Sequence, residues 1–191
     1  MGMAQSRIYW TADMLDSLPD DGNRYEVIDG ELYMTPAPSE THQDAIRVLL
    51  MLIHEYCTSI GLKPIFAPFA VKFSNAREVQ PDMIVVPEHP GSDTRQFDQI
   101  GALSLVVEVL SKSTGYRDRG IKRDVYRQQG VPEYWIINPK VRTVEQWRAG
   151  SESAELCEGA LSWQPVASHP ALMIDIARYF RAVHGELDAP Q

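Results

Sequence analysis

Residues 104–112 read S-L-V-V-E-V-L-S-K, and a single carboxylate, Glu108, interrupts an otherwise apolar run. Leu105, Val106, Val107, Val109 and Leu110 have the composition of a strand covered on both faces. A carboxylate buried there without a partner costs several kcal/mol or takes up a proton. The stretch therefore predicts a central strand over 103–110. It also predicts a partner for Glu108, brought to it by another part of the chain.

The flanking sequence supplies candidates. Upstream, Q-P-D-M-I-V-V (80–86) sets Asp82 at the mouth of a second apolar strand, 82–87. Downstream, a helix is predicted from Tyr116 to Gln129, closed by Gly130 and kept from continuing by Pro132. It carries Lys122 in D-R-G-I-K-R-D-V-Y (118–126). E-Y-W-I-I-N (133–138) then reads as a strand, followed by a turn at Asn138-Pro139 and an alternating strand over 141–148.

Further out, Thr11 is expected to cap a short helix through Leu18. The D-G pair inside Y-E-V-I-D-G-E-L-Y-M (25–34) predicts a hairpin. Thr41 with Asp44 resembles a capping box opening an amphipathic helix over 42–59 that stops at Gly61. Residues 64–73 read as one strand. A hairpin-like piece lies near Gly159, a short helix near 175–182, and a polar, frayed tail over 183–191. Strands on both sides of the second long helix predict an α/β domain, a mixed central sheet with helices packed on it, over 1–191.

Composition narrows the function. With 44% hydrophobic and 23% charged residues the chain is ordinary for a globular domain. No stretch approaches the ~20 apolar residues of a membrane span. The N-terminus M-G-M-A-Q-S-R has no apolar leader core, and the expected location is cytoplasmic. Cys57 and Cys157 have no motif spacing and are expected as reduced thiols, and five histidines without ligand spacing argue against zinc. A net charge of −8 disfavours non-specific nucleic-acid binding. Against it stands a local patch: from Lys112 to Arg127 six Lys/Arg face two Asp, a local +4 that can steer phosphates to one face.

Asp82, Glu108 and Lys122 make a chemical set. Two carboxylates on neighbouring strands can share Mg²⁺, a hard cation that takes oxygen ligands and keeps several waters, with Mn²⁺ as a substitute. An ammonium beside such an ion suits phosphodiester hydrolysis: the ion activates water, and the amine orients it or stabilises the attacked phosphate. Lys122 also stands four residues after Asp118, the spacing of an ordinary helical ion pair.

The pattern P-D-x(25)-E, with the glutamate in an apolar strand, resembles the PD-(D/E)xK nuclease superfamily. The longer set P-D-M-I-V-V, L-V-V-E-V-L-S-K-S-T, D-x(3)-K-x(3)-Y and G-V-P-E-Y-W-I-I-N-P, across residues 20–150, is similar to its branch of restriction-endonuclease-like proteins. The resemblance implies a restriction-endonuclease-like mixed sheet flanked by helices and a metal-dependent nuclease site, with Asp82 and Glu108 as the metal-binding acids. Where the superfamily has lysine two residues after the glutamate, this chain has Leu110; the resemblance moves that lysine to Lys122, with Lys112 as its rival. Asn138 stands where an aspartate is common. Glu26, in R-Y-E-V-I-D-G, and His42 match family positions and join the catalytic candidates; Glu31 is a weaker acid on the same hairpin.

Lys112, Arg119, Arg123 and Tyr126 are candidate phosphate contacts, while Tyr134 and Trp135 read as core. The implied partner is nucleic acid, DNA first, with a homodimer favoured because cutting both strands is easiest with two sites. The rival readings are a catalytically inactive module that keeps the fold and a hydrolase of another phosphoester.

Overall fold

Continuous apolar runs need cover on both faces, and the runs around Asp82 and Glu108 receive it. The computed structural model describes residues 8–88, 103–111 and 115–186. In chain order the elements are α1 (Ala12–Leu15), β1 (Arg24–Ile28), β2 (Glu31–Thr35), α2 (Glu40–Ser59), β3 (Leu62–Phe66), β4 (Val71–Ser74), β5 (Arg77–Val79), β6 (Met83–Pro87) and β7 (Leu105–Val109). A helical stretch follows: α3 (Gly115–Arg117), a π-helical turn (Asp118–Lys122) and α4 (Arg123–Gln128). Then come β8 (Glu133–Asn138), β9 (Thr143–Arg148), β10 (Glu155–Cys157), β11 (Ala160–Trp163), β12 (Leu172–Asp175) and α5 (Ile176–Val183).

Six strands form the central sheet in the order β10-β9-β8-β7-β6-β3. Within it β7 and β8 run parallel and the other neighbours antiparallel. A parallel pair needs a crossover, which the helical stretch from Gly115 to Gln128 provides. Side chains alternate along each strand, so the two faces build separate cores. Met83, Val85, Val107, Val109, Trp135 and Ile137 pack with α2 and α5. Ile84, Val86, Val106, Tyr134 and Ile136 pack with Val125 and Tyr126 of α4 and with Ile28, Val71 and Val79. The last three belong to a four-stranded sheet, β2-β1-β5-β4, which lies over that second face. This is the mixed sheet flanked by helices that the sequence predicts.

Several boundaries differ for local reasons. The single strand expected over 64–73 is two strands in different sheets, because Pro68 between them has no N–H for a ladder. Three-residue β5 is too short and too charged to show as a strand pattern. Ser39, not Thr41, caps α2, its hydroxyl accepting from the His42 N–H at 3.3 Å. Thr11 precedes α1 without a side-chain cap bond, and that helix ends at Leu15. The hairpin-like piece expected near Gly159 is the antiparallel pair β11–β12, and Gly159 passes the chain to it from β10, which pairs with β9. The D-G turn is as expected, with Asp29 at φ 54° and Gly30 at φ 84°. Val183 closes α5, Glu186 pairs with Arg142, and 187–191 lie outside the described residues. Cys57 and Cys157 are free thiols, both buried. Among the described residues no helix is long and apolar enough to cross a membrane.

Candidate active site

Asp82 ends the approach to β6, one residue before the ladder begins, so its carboxylate projects from the strand mouth. The end of β7 reaches it there: the Val109 N–H donates to Asp82 Oδ2 at 2.8 Å. Arg24, on β1, donates from Nη1 to Oδ1 at 2.7 Å, and His42 of α2 brings Nε2 to 3.1 Å from the same oxygen. Burial raises the carboxyl's pKa, but His42, Arg24 and the Val109 N–H outweigh it and bring it to about 2.

Glu108 shares its face of β7 with Val106 and looks toward the helical crossover. Lys122 Nζ donates to Glu108 Oε1 at 2.6 Å, and the Tyr126 hydroxyl donates to the same atom at 2.9 Å. The same amine stands 2.8 Å from Glu26 Oε1, which also accepts from the Gln80 N–H at 2.7 Å. Lys122, Glu108 and Asp118 are buried at 2%, 4% and 1% exposure, so Lys122 is not a solvated charge on the helix surface. Burial lowers the pKa of Lys122; the Glu108, Glu26 and Asp118 carboxylates outweigh it and raise it, so the amine carries a charge. Burial raises Glu108 to about 8, against the pull of Lys122 and with the help of Asp82, Asp118 and Glu26.

These groups line one cleft of about 1040 Å³, walled by Glu26, His42, Asp82, Glu108, Arg119 and Lys122 together with Arg24, Arg117, Asp118 and Asn138. The three residues of the sequence-predicted set therefore meet, and Glu26 and His42 join them. Arg119 reaches the rim, where it pairs with Glu145 at 2.7 Å. Two candidate phosphate contacts are elsewhere. Tyr126 is 1% exposed beneath the site, closed to a phosphate in the cleft, and Arg123 lies outside it over the Trp147 ring. Glu31 is exposed at the hairpin end, where it accepts from the Tyr33 hydroxyl. Lys112 lies outside the described residues. Asn138 Oδ1 accepts from the Lys140 N–H at 3.2 Å in a turn at the cleft wall.

Arg24, Arg117 and Asp118 are site residues that sequence reasoning missed. Arg117 Nη2 stands 3.7 Å from Glu26 Oε2 and donates to Thr35 Oγ1. A signal for Arg24 was present: it stands two residues before Glu26 in R-Y-E, hence on the same face of a strand.

The donor set fits a hard divalent ion in its chemistry. Asp82, at the mouth of β6, and Glu108, on β7, offer oxygens to one cleft, and Mg²⁺ is commonly held by one or two carboxylates with waters filling the rest. Among the described residues no three His, Cys, Asp or Glu are grouped as a metal cage. Arg24 and Lys122 hold the oxygens of these two acids.

Fold and site together define a restriction-endonuclease-like α/β protein. Residues 12–177 match the family model Uma2, described as "Putative restriction endonuclease", and the chain belongs to that family. Among solved structures, a "putative nuclease belonging to DUF820" from Anabaena variabilis ATCC 29413 is similar, with a TM-score of 0.69 at 18% identity over 91% of this chain and 98% of that one. At that identity the likeness speaks for the fold. No curated protein matches.

Proposed function

We propose that the chain is a metal-dependent nuclease that hydrolyses phosphodiester bonds in nucleic acid, with DNA as substrate and Mg²⁺, or Mn²⁺ in its place, as the working ion. One observation carries the reading: a buried amine, Lys122, sits 2.6 Å from Glu108 and 2.8 Å from Glu26 in the wall of an open cleft that Asp82 also lines. An ammonium fixed by two carboxylates holds its donors in place without reorganisation. Such a group can orient an attacking water and stabilise charge growing on a phosphate. Tyr126 holds Glu108 from below, and Arg119, which lines the cleft, would receive a phosphate. A divalent ion on Asp82 and Glu108 would supply an activated water and charge neutralisation. Membership of a family of putative restriction endonucleases supports the same class.

Supercoiled plasmid is expected to be nicked with Mg²⁺ and left intact in EDTA. Lys122→Met should abolish nicking while divalent ions still raise the melting temperature, and Asp82→Asn should lose both responses. Wild-type nicking by Lys122→Met, with loss in Lys112→Ala, transfers the amine's role to Lys112. A homodimer is the proposed working form; linear plasmid product from a protein that sediments as a monomer speaks against it.

One observation favours a second reading, a catalytically silent module that keeps the fold. Arg24 pairs with Asp82 and Lys122 with Glu108, so the chain's own cations compensate both acids. Nucleic-acid binding with no metal response in melting and no cleavage would select that reading.

A further inference from the structure

A second pocket, of about 250 Å³, lies beside the cleft on the α4–β9 side. Tyr126 separates the two: its hydroxyl bonds Glu108, and the residue also lines this pocket. Tyr134 and Trp147 add aromatic surface, and Arg123, Arg127 and Arg148 bring three guanidinium groups, against Glu152 as the one acid among the lining residues. The Arg123 guanidinium stands 4.9 Å from the Trp147 ring centroid, so a planar group is already stacked there. Trp147 Nε1 is buried and has no hydrogen-bond partner among the described residues.

The pocket is also joined to the cleft by charge. Arg119, Arg123 and Arg127 recur every four residues; the first lines the cleft, the other two the pocket. Their side chains are 44%, 32% and 67% exposed and rest on Glu145 and Asp124, partners that a phosphate can displace at the surface.

We propose that this pocket is a nucleotide subsite, in which a base stacks on Trp147 beside Arg123 while the attached phosphate meets Arg127 and Arg148. Every base has a stacking face, and arginine serves both base and phosphate. A paired base in a duplex cannot enter so small a pocket, so the occupant is a nucleotide of a single-stranded or frayed segment, or a free mononucleotide. The strand form rests on the nuclease reading, since it runs the strand from the cleft along the arginine stripe.

The test is binding of a fluorescein-labelled dA12 single strand to the full chain in EDTA, where metal-dependent cleavage cannot proceed. Trp147→Leu and Arg127→Gln are each expected to weaken binding about fivefold or more, and Arg127→Gln to flatten the salt slope by about one. Arg127→Gln changes only a surface residue, and its melting temperature verifies folding. In a second arm, dAMP is titrated against tryptophan emission. Quenching in wild type but not in Trp147→Leu, with dA12 affinity unchanged in both variants, assigns the subsite to the free nucleotide. Wild-type dA12 affinity in both variants with no dAMP response overturns the subsite, and plasmid nicking under those conditions leaves the nuclease reading intact. Weakened binding in the variants without any nicking by wild type keeps the subsite and removes the nuclease.

Discussion

Glu108 can stay in an apolar strand because Lys122 and Tyr126 both donate to one of its oxygens. Its raised pKa, about 8, has a consequence for stability. A carboxyl held above its unfolded value, about 4.3, stabilises the fold below that value and loses the contribution as pH rises toward 8. Asp82, held down to about 2, acts oppositely: its contribution is present above its unfolded value, about 3.9, and disappears as pH falls toward 2. The metal-free protein should therefore lose stability between pH 5 and 8, and Glu108→Gln should flatten that loss in thermal melts taken in EDTA. An identical slope in the variant would remove Glu108 as its source. Arg24 makes a related prediction. Arg24→Gln leaves Asp82 only His42 and the Val109 N–H, costing about 1–3 kcal/mol in EDTA. Because Arg24 no longer competes at Asp82, the melting shift produced by Mn²⁺ should grow. A smaller Mn²⁺ shift would mean that Arg24 supports the ion rather than standing in for it.

At the scale of elements, the crossover helix decides the site. A π-helical turn over Asp118–Lys122 accommodates one more residue than an α-turn and buries Asp118 and Lys122 together. A 3.6-residue pattern over 116–129 does not reveal that insertion, which is why the helix was legible and the direction of its lysine was not. Gly120 sits inside the turn, and a Cβ built there meets nothing within 4 Å. Gly120→Ala is expected to stabilise the protein by about 0.5–1 kcal/mol, read by urea denaturation, with nicking retained. The α2 cap is the other element-scale test. Ser39→Ala should cost about 1 kcal/mol by releasing the His42 N–H, and His42 leans on Asp82. Equal loss on Thr41→Ala would return the cap to the residue that the sequence pattern favours.

For the whole molecule the tension is between a net charge of −8 and an anionic substrate. The basic cluster read from the sequence is largely engaged: Lys122 is buried in the site, Arg119 pairs with Glu145, and Arg123 and Arg127 share Asp124. Three partly exposed arginines, Arg119, Arg123 and Arg127, remain to meet phosphates. A duplex neutralised by three contacts gives a slope of log K against log salt of roughly −2.7. Duplex affinity is accordingly expected to fall about fortyfold between 50 and 200 mM salt. A slope of twice that size in a fluorescence-anisotropy titration would require basic contacts beyond this stripe.

From the sequence alone came the strands that carry Asp82 and Glu108, the helix that carries Lys122, the D-G hairpin and the family pattern. Each of these is written in short-range periodicity, turn chemistry or motif spacing. Tertiary structure decided which groups answer one another. Arg24 meets Asp82 across 58 residues of chain, and Glu26 reaches Lys122 of the crossover helix from the four-stranded sheet. It also decided that Pro68 divides one apparent strand between two sheets and that Arg123 leaves the cleft for Trp147. The physical reason is that backbone preference acts over a few neighbours. The partner of a buried charge is chosen by whichever donors packing brings within about 3 Å.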